Sequence, residues 1–243
     1  MIASPVLPAC SARSSSEWLQ YFQSNRPEPV LPWHEPYRLS EDERAAVSAS
    51  IRQFQLGESG KGRRLLIQAE HWAERQGDPE YMAALRLFVK EEQRHSRILG
   101  RFLELEGISC IERHWVDGVF RRIRGFAGLE LRMRVLATAE VLAMPYYAAL
   151  RDATRSPLLH AICERILEEE TAHLRFQAFT FRLFRGARSA ALDRLAWRAN
   201  RMLLAGTTAV LWREHKPVFR AAGYTRSQLH AEAVRWFAEL QSV

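Results

Sequence analysis

Residues 81–102 read YMAALRLFVKEEQRHSRILGRF. Tyr81, Leu85, Phe88, Leu99 and Phe102 recur at steps of three and four, the period of one face of an α-helix. Glu92 and His95 fall on that same stripe, where apolar residues are expected. Residues 159–184 repeat the arrangement, with Leu159, Cys163, Ile166, Glu170, His173, Gln177 and Phe184 on one stripe. Composition alone yields fewer than one Glu-x-x-His in a chain like this, so the bare spacing weighs little. Its place in the seam is what counts, because an unpartnered polar group there is costly. On a helix, residues three apart project from one face within one turn, so each motif offers a carboxylate and an imidazole together.

The rest of the chain supplies two more such helices. Ser40 followed by Glu43 is a capping-box signature, which predicts a helix from about 41 to 76, ending near Gly77-Asp78-Pro79. Its inner stripe reads Val47, Ile51, Phe54, Glu58, Lys61, Leu65, Gln68 and Trp72, with Gly57, Gly60 and Gly62 weakening the middle enough for a kink. The second helix covers about 79–106. A connection of roughly twenty residues follows, containing Trp115 and a short helix near 112–123, long enough to cross a bundle. The third helix, about 126–153, carries Leu129, Met133, Leu136, Glu140, Ala143 and Tyr147, with Pro145 expected to distort it just after Glu140. The fourth starts after Ser156-Pro157. Helices one and two, then three and four, thus repeat one pattern: a seam carboxylate, then Glu-x-x-His. Glu58 is favoured over Glu70 as the helix-one carboxylate, because Glu70 lies off the stripe and near the loop.

Sparse Gly and Pro after the first forty residues, with Ala, Leu, Glu and Arg abundant, predict an all-α fold. Residues 1–40, with Pro27, Pro29, Pro32 and Pro36, read as an irregular arm, although Trp18, Tyr21, Phe22 and Trp33 suggest packing on the body. Residues 41–187 form the bundle. Residues 188–243 read as a helix to about 215 and another after Gly223, covering the bundle or forming a homodimer interface.

The six seam residues resemble the ligand set of the ferritin-like, carboxylate-bridged di-iron proteins, whose four-helix bundles take one Glu from each of two helices and Glu-x-x-His from each of the others. The resemblance covers about residues 41–185 and points to an oxygenase or oxidase rather than a storage ferritin. It implies a long crossover between helices two and three, and a site for two iron ions, with Mn/Fe or manganese as alternatives. Glu92 and Glu170 would bridge the metals, Glu58 with His95 would complete one end, and Glu140 with His173 the other. Carboxylates and imidazoles without thiolates suit these ions and argue against structural zinc. In several such proteins an acid beside the bridging Glu hydrogen-bonds a metal-bound histidine across the bundle, a place held here by Glu91 and Glu169. The other reading makes these two flanking surface acids.

The expected function is an O2-activating oxygenase or oxidase of a small or apolar organic substrate, supplied by an external electron donor. Phe88, Ile166 and Leu99 give the site apolar walls, and Met144, Tyr146 and Tyr147 beside Pro145 open room near Glu140. A rubrerythrin-like peroxidase or a ferroxidase, using peroxide or ferrous iron, is the alternative, although no Cys-x-x-Cys module is present. A non-catalytic helical module binding RNA or protein is the third. The formal charge of +7 comes mostly from arginines spread over helices, with no long basic run and no aromatic RNA-stacking motif, so it reads as solvated surface rather than a nucleic-acid site. Cys10, Cys110 and Cys163 form no zinc or disulfide pattern, which predicts a cytoplasmic setting. No segment is apolar for long enough to span a membrane.

Overall fold

The computed structural model describes residues 14–60, 62–115, 118, 128–185 and 190–242. Its helices in chain order are α1 (Ser15–Ser24), α2 (Glu41–Glu58), α3 (Arg63–Gln76), α4 (Pro79–Leu105), α5 (Leu129–Asp152), α6 (Pro157–Arg185), α7 (Ala190–Ala221) and α8 (Arg226–Ser242). The described residues are all-helical. Two hairpins build a four-helix bundle: α2 with its continuation α3 packs on α4, and α5 packs along α6. In the crossover between α4 and α5, residues 116–117 and 119–127, and with them most of the expected short helix, lie outside the described residues.

Helix one departs from the reading as a single element. α2 stops at Glu58, and Gly62, at φ +58°, caps a new helix. A Cβ at Gly62 would meet both Val89 methyls at 3.1 and 3.2 Å, so the close approach and the left-handed backbone both select glycine. The break also changes the phase. In α3 the buried positions are Ala69 and Ala73, not the expected Leu65, Gln68 and Trp72. α5 continues through Pro145 as one helix from Leu129 to Asp152.

The irregular arm needs a second correction, because its residues 15–24 form α1. A capping box starts it: Ser14 Oγ accepts from the Glu17 amide at 3.3 Å, and the Glu17 carboxylate accepts from the Ser14 amide at 2.7 Å. Trp18 and Phe22, one turn apart, are fully buried against Phe88 and Phe176. Burying a side chain of this kind contributes roughly 1.5–3 kcal/mol, enough to hold a helix too short to persist alone.

α7 lies over α2 and α5 and is kinked at His215, two residues before Pro217, whose ring excludes the carbonyl four residues back. It buries Trp197, Leu204 and Leu211 inward and leaves Leu192, Leu195 and Met202 exposed. Among the described residues no helix is long and apolar enough to cross a membrane.

Candidate metal centre

Glu92 and His95 are brought by α4, Glu170 and His173 by α6, Glu140 by α5, and Glu58 by the last residue of α2. Ligand atoms of Glu92, Glu140, Glu170 and His173 all lie within 4.8 Å of one another, and so do those of Glu58, Glu92 and His95. Glu92 belongs to both groups. Glu170 reaches both too, since its carboxylate lies 3.5 Å from His173 Nδ1 and 3.4 Å from His95 Nδ1. The structure therefore brings all six sequence candidates together in the bundle core. Glu70 stands apart, half-exposed and paired with Arg86 at 2.7 Å.

The donor set fits metal ions on two grounds. First, Glu92 Oε1, His95 Nδ1, Glu140 Oε1, Glu170 Oε2 and His173 Nδ1 are buried without a well-directed hydrogen bond although they crowd one another, His173 Nδ1 lying 2.9 Å from Glu92 Oε1. Buried polar atoms are normally satisfied, so five such atoms facing one another mark a place for cations. Second, four carboxylates carry the charge that two divalent ions neutralise.

Without metal, protons do part of that work. Burial, then the charges of Glu92 and Glu170, pushes the Glu58 carboxyl well above the usual range. Burial, then Glu170 and Glu92, does the same to Glu140. Burial would raise Glu170 as well, but the Glu140 carboxyl and both imidazoles beside it hold it below the usual range. Burial by itself would lower His95, yet Glu169, Glu170 and Glu92 raise it to about 10. His173 is likewise raised, against burial, by Glu140, Glu170, Glu91 and Glu92.

The outward nitrogens of both imidazoles are held across the bundle. His95 Nε2 meets Glu169 Oε2 at 2.7 Å, and His173 Nε2 meets Glu91 Oε2 at 3.0 Å. Glu91 and Glu169 are buried, which disfavours their reading as surface acids. One guanidinium joins them: Arg94 donates to Glu91 Oε1 at 2.9 Å and to Glu169 Oε1 at 2.5 Å. Burial would raise the Glu169 carboxyl, but His95, Arg94 and Arg165 hold it at about 2. Asn25 Nδ2 donates to the same two carboxylates, Glu91 and Glu169, and neither Arg94 nor Asn25 lies on an apolar stripe of the sequence. The Glu91–Arg94 spacing of one helical turn is the local signal of the former, and nothing local marks the latter.

On the opposite side a cavity of about 190 Å³ opens between α2, α5 and α7. Glu58, Glu92, Glu140 and Glu170 floor it, and Phe54, Leu136, Ala143, Leu211, Glu214 and His215 are among its other lining residues. The expected walls Phe88, Ile166 and Leu99 are instead close-packed core. Tyr147 donates to Glu58 Oε1 at 3.0 Å. His215 hydrogen-bonds Ser50 at 2.7 Å, and burial, then His114, lowers its pKa to about 3.

Among solved structures the chain is similar to an R2-like ligand-binding oxidase, a point variant with an anaerobically reconstituted Mn/Fe cofactor. The likeness has a TM-score of 0.66 over 95% of this chain and 93% of that one. The chain has the ferritin-like fold of that oxidase. Sequence identity is 16%, so the likeness concerns the fold. No protein-family model matches the chain, and no curated protein matches it in sequence. Placed on the ferritin-like fold, the six clustered residues lie on the helices that face one another in the bundle core, where such folds build metal sites.

Proposed function

We propose that the chain is a non-haem dimetal oxidase or oxygenase that activates O2 and oxidises a compact apolar organic molecule. The observation that carries this is the coincidence of five buried ligand atoms lacking a well-directed hydrogen bond with an apolar cavity floored by the same carboxylates. The fold neighbour's Mn/Fe cofactor and oxidase name support the reading. Glu58, Glu92 and His95 would hold one metal, and Glu92, Glu140, Glu170 and His173 the other. The ions would be two irons, or manganese with iron, as in the neighbour's Mn/Fe cofactor. When bound, they supply the oxygen activation and the oxidising equivalents.

The chain's own residues set the conditions. Glu169 and Glu91 accept the Nε2–H of His95 and His173, which leaves each Nδ1 lone pair for a metal. Tyr147 orients the Glu58 carboxylate by donating to one oxygen. Phe54, Leu136, Ala143 and Leu211 exclude water from the reacting region, and the cavity's size suits a substrate of about one ring rather than a long chain. An external donor returns the electrons. Free Cys110 and Cys163 fit a reducing, cytoplasmic setting, and the exposed Leu192, Leu195 and Met202 row supports a homodimer. Ferroxidase chemistry would use the same ligands but has no need of the apolar cavity.

Anaerobic loading with Fe(II), or Mn(II) and Fe(II), tests the reading. Two metals per chain, and O2 uptake that rises with small organic compounds, are expected. Absence of metal sinks the proposal. O2 uptake that depends on Fe(II) alone, whatever organic compound is present, makes the protein a ferroxidase.

A further inference from the structure

We propose that Asn25 is a positioning residue of the metal centre, through which docking of the N-terminal helix α1 and metal binding are linked. The inference rests on metal binding by the six core residues. Asn25 is the residue on which α1 ends. Its Nδ2 donates to Glu91 Oε1 and, at 3.2 Å, to Glu169 Oε1, while its Oδ1 accepts from Arg165. These are the two carboxylates whose other oxygens hold His173 and His95. One carboxamide therefore spans both histidine supports, each one residue removed from a ligand atom.

The side chain is suited to this place. A carboxamide offers two N–H donors and one acceptor without charge. Glu91 and Glu169 are already balanced by Arg94 and Arg165, so a neutral group leaves that layer neutral. An aspartate would add a third carboxylate and remove both donors.

Asn25 is also where α1 is fastened. Its carbonyl accepts from Arg94 at 2.7 Å, the same guanidinium that joins Glu91 and Glu169. Phe22 sits with its ring centroid 6.3 Å from that of His173, and at the other end Ser15 donates to Asp78 at 2.5 Å. Undocking α1 would uncover His173 and strip both carboxylates of one donor. Linkage is reciprocal, so metal bound to correctly oriented histidines must in turn hold α1 down.

The test uses the full chain with Mn(II), whose free form is counted by its electron paramagnetic resonance signal. Asn25→Asp and Asn25→Ala are expected to weaken Mn(II) binding about tenfold or more, the range seen when groups behind metal ligands are removed. In the wild type, Mn(II) is expected to slow amide hydrogen exchange in residues 15–24, an effect reduced in both variants. Wild-type affinity in the variants, or exchange in residues 15–24 indifferent to Mn(II), would overturn the inference. Equal loss of apo-protein stability with unchanged affinity would show a purely structural role and overturn it too. The wild-type exchange measurement decides even where a variant does not fold. Failure of the wild type to bind Mn(II) or Fe(II) at all removes the metal reading itself, a result distinct from these.

Discussion

His95 on α4 and Glu169 on α6 meet across the bundle at 2.7 Å, and His173 and Glu91 repeat the contact in the opposite sense at 3.0 Å. Each helix thus orients the histidine of the other. Glu169→Gln keeps the shape but removes the charge that makes the imidazole a stronger ligand. Metal affinity is expected to fall by about 10–100-fold, measured by chelator competition, with the helical content of the apo protein unchanged. Unaltered affinity would mean that the contact serves packing alone.

Glu58 and Glu70 separate cleanly. Glu58 shares a ligand group with Glu92 and His95, whereas Glu70 is half-exposed with Arg86. Glu58→Ala should reduce metal stoichiometry from two towards one per chain. Glu70→Ala should leave it at two and change stability by no more than about 0.5 kcal/mol, as expected for a surface position. Elemental analysis and a urea titration check both.

Metal uptake should release protons. His95, raised to about 10, and His173, also raised, are protonated at neutral pH without metal, and Glu58 and Glu140 are raised well above the carboxylate range. Each displaced proton makes apparent affinity rise by up to about tenfold per pH unit until the group's own pKa is reached. Affinity should therefore climb from pH 6.5 towards pH 9. Calorimetry in buffers of different ionisation enthalpy counts the protons, and a pH-independent affinity would contradict this picture.

His215 gives the apo protein an acid-sensitive element. Its folded pKa, about 3, lies below the ordinary value of 6.5, so between these values the unfolded chain binds the proton and the folded one does not. This contribution is fully present above pH 6.5 and declines as pH falls towards 3, by up to about 1.4 kcal/mol per unit. Urea denaturation of the apo protein at pH 7 and pH 5 should show a smaller difference in His215→Gln than in the wild type, by about 2 kcal/mol. Parallel pH dependences would show that His215 titrates normally.

Ala143 lies on the cavity wall, one turn after Glu140. Ala143→Phe fills much of the space and should abolish the stimulation of O2 uptake by organic compounds while metal content stays at two per chain. Loss of metal as well would show that the cavity and the ligand sphere cannot be altered independently.

Helix periodicity is a local property, and that explains what could be read without coordinates. Glu92, His95, Glu140, Glu170 and His173 declare themselves because each interrupts an apolar stripe within its own helix. The capping box at Ser40 and Glu43 marks the start of α2 just as locally, with bonds of 2.8 and 3.3 Å. Ser14 and Glu17 carry the equivalent local signal for α1, just ahead of the proline-rich stretch. Glu58 is less legible, because α2 ends on it and the chain breaks at Gly62 before α3 resumes in another phase.

Contacts between distant segments carry no such period. That α1 folds back so Asn25 can bridge Glu91 and Glu169, 66 and 144 residues away, depends on Trp18 and Phe22 finding Phe88 and Phe176. That His215 rather than Phe88 faces the cavity depends on where a proline-kinked α7 lies across α2 and α5. The inward residues of the metal site were written in helix faces one turn at a time. Its support and its pocket were decided by which faces the folded chain buries against one another.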